Sequence, residues 1–373
     1  MTISLPARNP EPSDPLAWPA DTELVGLVFE VQSASGGYLY PQYPIALHAW
    51  FLDQARSYDP KLSAYLHDGE SEKPFTISGL EGQIATSGKQ LRLLPRETYY
   101  WYVTALSPKV VQWMQEWLRD LPEAIALRQA PLEILSVRIV HPATTYAQLL
   151  DAQLNGDRRK SLPLSFLTPT SFRRKGHHLP LPWPTNVFHS YLRRWNNFSN
   201  LPASQDEFLQ WIDDSVLIAR HKLESVKVPA GKKGLVTGFT GSIEFSLTRE
   251  ARQQMQFEKL FYALGQLAPY CGTGHKTTFG LGQTRLGWLS KPESSPTISV
   301  ENQLADRIEE LTEMLMADRK RPGGDRALQV AETRATILAR REFGESLQDI
   351  AADLDLPYET VKTYAKLARK AVK

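Results

Sequence analysis

Sulfur chemistry is nearly absent from this 373-residue chain. Cys271 is its one cysteine, so neither an internal disulfide framework nor a cysteine-ligated zinc site can form. An excess of charge is also missing. The 43 Lys and Arg almost cancel the 41 Asp and Glu, leaving a formal +2. A nucleic-acid site must then be a local patch and not the whole surface. No apolar run approaches the ~18 residues of a membrane span, and the N-terminus lacks a basic-then-apolar secretory pattern. The expectation is a cytoplasmic protein without membrane contact.

What is present suits two or three domains with sizeable cores: 42% of residues are hydrophobic and 10% aromatic. Residues 1–20 carry Pro6, Pro10, Pro12, Pro15 and Pro19 and read as a loose leader. The densest signal is Cys271-Gly-Thr-Gly-His-Lys-Thr-Thr-Phe-Gly-Leu-Gly282. Glycine pairs at 272/274 and 280/282 permit positive φ or close backbone approach. Between them His275, Lys276 and two threonines add a cation, hydroxyls and N–H groups, which suit a phosphate chain. The spacing fits neither the P-loop nor the dinucleotide fingerprint. By itself the stretch suits either a ligand or a plain connection from a helix (Gln254 to Leu267) to a strand (Leu281 to Trp288).

Residues 21–142 read β-α-β-β-α-β. Strands are expected at Leu24 to Gln32, Pro74 to Ser78, Leu91 to Leu94, Tyr99 to Leu106 and Leu132 to Val140, with helices at Pro44 to Tyr58 and Ser107 to Leu121. That order is the ferredoxin-like pattern shared with RNA-recognition modules. His48 lies on the first helix, and His67 near its far end, with Lys73 six residues on. Each histidine suits either an ordinary structural place or RNA self-cleavage chemistry. In that chemistry a base takes the ribose 2′-OH proton, an acid protonates the leaving 5′-oxygen, and a lysine steadies the crowded phosphate. It requires no metal and no cofactor.

Residues 143–290 repeat the pattern with inserted helices at Pro184 to Phe198 and Ser204 to Ala219. A hairpin over Arg220 to Leu247 carries Lys232 and Lys233 at its tip. Arg173, Arg174 and Lys175 beside Phe172, and Arg193 and Arg194 on the first inserted helix, are candidate RNA contacts, as are Lys276 and Arg285. The adjacent pair His177-His178 is a poor metal site, since neighbours in an extended chain face opposite ways.

On these residues, 21–290 resembles the CRISPR-associated endoribonucleases of the RAMP superfamily that cut precursor RNA into guide RNAs. Those proteins are two tandem ferredoxin-like domains with a C-terminal loop G-φ-G-x5-G-φ-G. Gly272, Gly274, Gly280 and Gly282 match it, with Thr273 at the first apolar place and Leu281 at the second. Pro60 to His67, followed by Lys73 and Phe75, is similar to the segment bearing the catalytic histidine and lysine in some members. The tyrosine expected on the first helix is replaced near Leu52, which makes His48 its stand-in. The resemblance implies α+β architecture, His67 and His48 as acid and base, Lys73 as phosphorane stabiliser, CRISPR repeat RNA as substrate and other effector subunits as partners. It assigns the glycine loop, with Gly272, Gly274, His275, Lys276, Gly280, Gly282 and Arg285, to RNA positioning, some 200 residues from the histidines.

The remainder is helical. Lys291 to Val300 reads as a linker, and 301–373 as a separate all-α domain. There Ser346 with Asp349 caps a short helix, Asp355-Leu356-Pro357 turns, and a basic helix follows. Ser346 to Lys370 resembles the DNA-reading end of sigma-type factors. A helix-turn-helix is expected to set Glu359, Thr360 and Thr363 near base edges and Lys362, Lys366, Arg369 and Lys370 on phosphates. Two other readings stay open: a non-catalytic RNA-hairpin-binding subunit, and a DNA-binding regulator.

Overall fold

The computed structural model describes residues 16–67, 72–152, 161–174, 177–229, 235–289, 296–317 and 324–372. The first domain runs β1 (Leu24–Gln32), β2 (Gly37–Leu39), α1 (Tyr43–Tyr58), α2 (Pro60–His67), β3 (Phe75–Glu81), β4 (Ala85–Ser87), β5 (Gln90–Leu93), β6 (Thr98–Ala105), α3 (Pro108–Trp117), β7 (Ala124–Ile125) and β8 (Leu132–Thr144). Its sheet has the order β3-β6-β1-β8-β7. Counting only the strands of the β-α-β-β-α-β unit, this is second-third-first-fourth, the ferredoxin-like arrangement.

Period-two alternation divides β6 between two environments. Tyr99, Trp101 and Val103 are buried, and Trp101 meets Phe29 and Trp50. Tyr102 and Thr104 take the other face, toward the second domain. The break between α1 and α2 falls at Asp59, which is extended (φ −152°, ψ 114°) because Pro60 disfavours a helical residue before it.

The second domain repeats the plan. It runs α4 (Tyr146–Asp151), β9 (Ser161–Thr170), β10 (Phe172–Arg174), β11 (His177–Leu179), α5 (Pro184–Phe198), α6 (Gln205–Ser215), β12 (Val216–Pro229), β13 (Leu235–Leu247), α7 (Met255–Cys271) and β14 (Thr284–Leu286). The sheet order β12-β13-β9-β14 is again second-third-first-fourth.

Three expectations change. The helix foreseen over Ser204 to Ala219 stops at Ser215. Val216 pairs with Leu247 and Leu217 with Ser246, so the ladder to β13 overrides the helical preference of Leu217 and Ala219. The foreseen strand Leu281 to Trp288 shrinks to Thr284–Leu286, because Gly282 and Gly287 on either side hold φ of +69° and +101°. The strand near Leu91 joins a side sheet of order β2-β5-β4 and not the main one.

The chain ends in α8 (Pro296–Ala317), α9 (Asp325–Glu342), α10 (Leu347–Leu354) and α11 (Tyr358–Ala371). α8 begins inside the foreseen linker, with Pro296 in its first turn where the missing N–H costs nothing. It packs on β12 of one ferredoxin domain and on β4 and β5 of the other. Val300, Leu304, Ile308, Leu311 and Leu315 join the buried cluster of the first domain. Lys227 donates from its amide to Asn302 Oδ1 (2.8 Å) and pairs through Nζ with Glu309 (2.6 Å). Arg128 of the first domain reaches Asp349 (3.2 Å) and Asp353 (3.1 Å) on α10. Glu301, buried against the Tyr43 region, has its carboxyl pushed up to about 8 by burial. The cap foreseen at Ser346 forms, its Oγ accepting from Asp349 N at 3.1 Å. Among the described residues no helix is long and apolar enough to cross a membrane.

Candidate nucleic-acid interface

The glycine-rich loop leaves the C-terminus of α7 and wedges between the domains. Gly272, Gly274, Gly280 and Gly282 all hold positive φ, and Lys276 is left-handed as well. At Gly272, Gly274 and Gly282 the need is also steric, most severely at the last two. A Cβ on Gly274 would lie 2.3 Å from Ser171 O, and one on Gly282 2.0 Å from Thr273 O.

The loop's amides are mostly spent on protein. Thr273 N donates to Gly282 O (2.8 Å), His275 N to Ser171 O (3.2 Å), Gly280 N to Ile77 O (3.1 Å) and Gly282 N to Pro169 O (3.1 Å). Gly274 N donates to Ser190 Oγ (2.9 Å). The four glycines are buried. The expected cradle of exposed N–H groups is therefore replaced by a packed joint, and those glycines shape the loop without facing a ligand.

The loop also reaches the first domain, which the sequence reading had set apart from it. Thr277 to Phe279 form a 3-10 turn against β3 and α1. His48 Nδ1 lies 3.0 Å from Thr278 O, so Nδ1–H donates there. The imidazole lies 4.3 Å from the Phe279 ring and 5.8 Å from Phe75, centroid to centroid. Burial holds its pKa down to about 4, with smaller contributions from His67 and Lys73. His48 is thus neutral at pH 7, with its donor spent on the loop.

His67 ends α2 and is exposed. Lys73 Nζ donates to His67 O at 2.7 Å. Glu72, which the sequence reading passed over, pairs with Arg193 and with Arg194 Nε, the latter at 3.3 Å. Arg193 is exposed, but Arg194 is not. Arg194 donates to Ser190 O (3.0 Å), Ser190 Oγ (2.7 Å) and Gly274 O (2.8 Å). It holds the protein together and does not face RNA, contrary to the expectation for two equivalent arginines. On a helix, consecutive residues point about 100° apart, and that difference separates them.

Two histidines and two cations gather along the loop. His178 and His275 stack at 5.2 Å, and His275 Nδ1 lies 2.8 Å from Ser171 O. Lys276 has its ammonium lowered to about 8 by burial and then by Arg173. Arg173 is exposed. Lys175, Lys232 and Lys233 lie outside the described residues, and for Arg174 only the backbone in β10 is described.

Arg285 pairs with Glu81 (2.6 Å) and donates to Tyr102 Oη (3.2 Å). It stands at an interdomain cleft of about 400 Å³ lined also by Thr76, Thr104, His141 and Gln283. On α11, Lys362, Thr363, Lys366, Arg369 and Lys370 are exposed and Thr360 is half-buried. Glu359 pairs with Lys362 at 3.4 Å.

Two family models match the two ferredoxin-like domains. Residues 26–148 match the model of the CRISPR Cas6 N-terminal domain, and residues 164–284 that of the CRISPR-associated endoribonuclease Cas6. The chain belongs to the Cas6 endoribonuclease family. Cas6 of Streptococcus thermophilus is 22% identical over 244 residues, covering 65% of this chain and 90% of that protein. A Cas6 product complex is 25% identical with a TM-score of 0.54, covering 71% of this chain and 99% of that one. A Cas6 substrate-mimic complex is 26% identical with a TM-score of 0.53, at the same coverages. Beyond the Cas6 part, residues 331–372 match Sigma-70 region 4, as the helix-turn-helix reading expected.

The buried histidines set a pH dependence. His48, His141 and His275 are each held down to about 4, chiefly by burial. The unfolded chain binds their protons near pH 6.5. Below that value it holds more protons than the native state, so stability falls with pH. The raised Glu301 carboxyl works the other way between about 4.5 and 8, but three histidines outweigh one carboxyl, so melting temperatures should still decline from about pH 6.5 toward 4. A flat profile across that window would refute the assignment.

Proposed function

We propose that this Cas6-family chain cuts CRISPR precursor RNA within its repeats, by attack of a ribose 2′-OH on the neighbouring phosphate. The products are a 2′,3′-cyclic phosphate and a 5′-hydroxyl, and the step uses no metal. The observation that carries this reading is the joint. Exposed His67 and half-buried Lys73 lie in one ferredoxin domain, Glu72 next to Lys73 pairs with Arg193 of the other, and Arg173 and Lys276 follow along the loop, which supports the reading.

His67 is the group placed to move a proton, and Lys73 and Arg193 are cations for the pentacoordinate phosphate. His48 takes a different part from the one its sequence position suggested. A neutral ring with its N–H on Thr278 O and with Phe75 and Phe279 near it orders the loop against α1 and is no proton donor at pH 7.

The test is incubation with repeat hairpin RNAs, with and without chelator, followed by mapping of the ends. Cleavage should persist in chelator and vanish when the nucleotide at the cut carries 2′-deoxyribose, while binding is retained. Cutting of the deoxy substrate would rule the mechanism out. Tight hairpin binding with no cutting would favour a non-catalytic RNA-binding subunit.

A second activity rests on α11, whose exposed basic face lies within the Sigma-70 region 4 match. We propose that it binds duplex DNA, with Lys362, Lys366, Arg369 and Lys370 on phosphates. Affinity of the full chain for duplex DNA should fall steeply with salt, and absence of binding at low salt would exclude it.

A further inference from the structure

We propose that Glu72 is a positioning residue, which locks the segment bearing Lys73 to the glycine-rich loop through Arg194. This rests on the endoribonuclease reading of the same joint. Four observations converge on it. Glu72 immediately precedes Lys73, whose ammonium caps the carbonyl of His67 at 2.7 Å. Its carboxylate takes Arg194 Nε at 3.3 Å and a second guanidinium from Arg193. Arg194 is 4% exposed and sends Nη2 to Gly274 O at 2.8 Å and Nη1 to Ser190 at 2.7 and 3.0 Å. Ser190 Oγ in turn accepts from Gly274 N at 2.9 Å. Both the amide and the carbonyl of one loop glycine are thereby tied to α5, and Glu72 extends the tie to the first domain.

A planar guanidinium suits this task, because its donors leave in fixed directions. An exposed ion pair would contribute little, but Glu72 is only 16% exposed and Arg194 5% at their side chains. Removing one partner of a buried pair leaves the other charge uncompensated. Without Glu72, Arg194 keeps its hold on the loop while the Lys73 segment loses its anchor across the joint. Misplacement of a catalytic group by about 1 Å is enough to cost on the order of 100-fold in rate.

The experiment compares wild type, Glu72→Gln, Glu72→Asp and Arg194→Lys. It measures single-turnover cutting at saturating enzyme, the Kd for a repeat hairpin, and amide exchange of the Gly272–Gly282 loop. Glu72→Gln should slow cutting by about 10- to 100-fold with Kd within about threefold, and speed exchange of the loop amides. Glu72→Asp should recover part of the rate, which a role in bulk stability alone would not produce. Cutting at the wild-type rate in Glu72→Gln, or a loss of affinity as large as the loss of rate, would overturn the proposal even if Arg194→Lys fails to fold. If wild type itself cuts no hairpin, the endoribonuclease reading fails. The exchange arm then decides alone, and wild-type loop protection in Glu72→Gln would defeat the positioning role.

Discussion

His67→Ala should slow single-turnover cutting of a repeat hairpin by about 10² to 10⁴-fold, the usual worth of one general acid or base, while the hairpin Kd changes little. The prediction follows from position. His67 is exposed at the end of α2, and Lys73 is fixed to its carbonyl. The side chain is open to solvent.

His48→Ala gives the contrast. It removes a ring packed on Phe279 and the donor to Thr278 O, so it should lower the melting temperature and spare more of the rate than His67→Ala does. Should His48→Ala abolish cutting in a folded protein while His67→Ala does not, the two roles are reversed.

Gly282→Ala is expected to be the most damaging small substitution in the loop. Alanine at φ +69° costs about 1–2 kcal/mol on backbone grounds alone. Its Cβ would also stand 2.0 Å from Thr273 O, a backbone atom that no rotamer change can move. That carbonyl belongs to a residue whose N–H is bonded to Gly282 O, so relief of the overlap opens the loop. A total of about 3–5 kcal/mol is of the size that backbone strain with lost contacts produces. At about 2–4 °C per kcal/mol for domains of this size, the melting temperature should fall by roughly 10 °C.

Gly287→Ala is the control. Its φ is +101°, but nothing lies within 4 Å of the added Cβ, so it carries backbone strain without the clash. Equal melting temperatures for the two variants would show that the carbonyl contact is unimportant.

The doubled ferredoxin-like plan and the helix-turn-helix were readable because period-two and period-3.6 patterns are written locally. The glycine spacing was readable for the same reason. Its meaning was not, since whether an amide is free depends on where the partner carbonyl lies. Ile77 and Ser171, which accept from this loop, are far from it in sequence. His48 and Thr278 are 230 residues apart, and no periodicity encodes such a pair. Glu72 looked like one acidic residue among many, and only burial beside Arg194 distinguishes it. Pro296 with its serine-rich surroundings suggested a linker, because proline marks a break as readily as a helix start.

The docking of α8 has a mechanical consequence. One helix braces an edge strand of the second domain and the side sheet of the first, while the glycine loop pins the same two bodies at Ile77. Two separated fastenings remove the hinge that one would leave. The cleft between the domains is then a caliper set to one opening, whose width two fastenings hold.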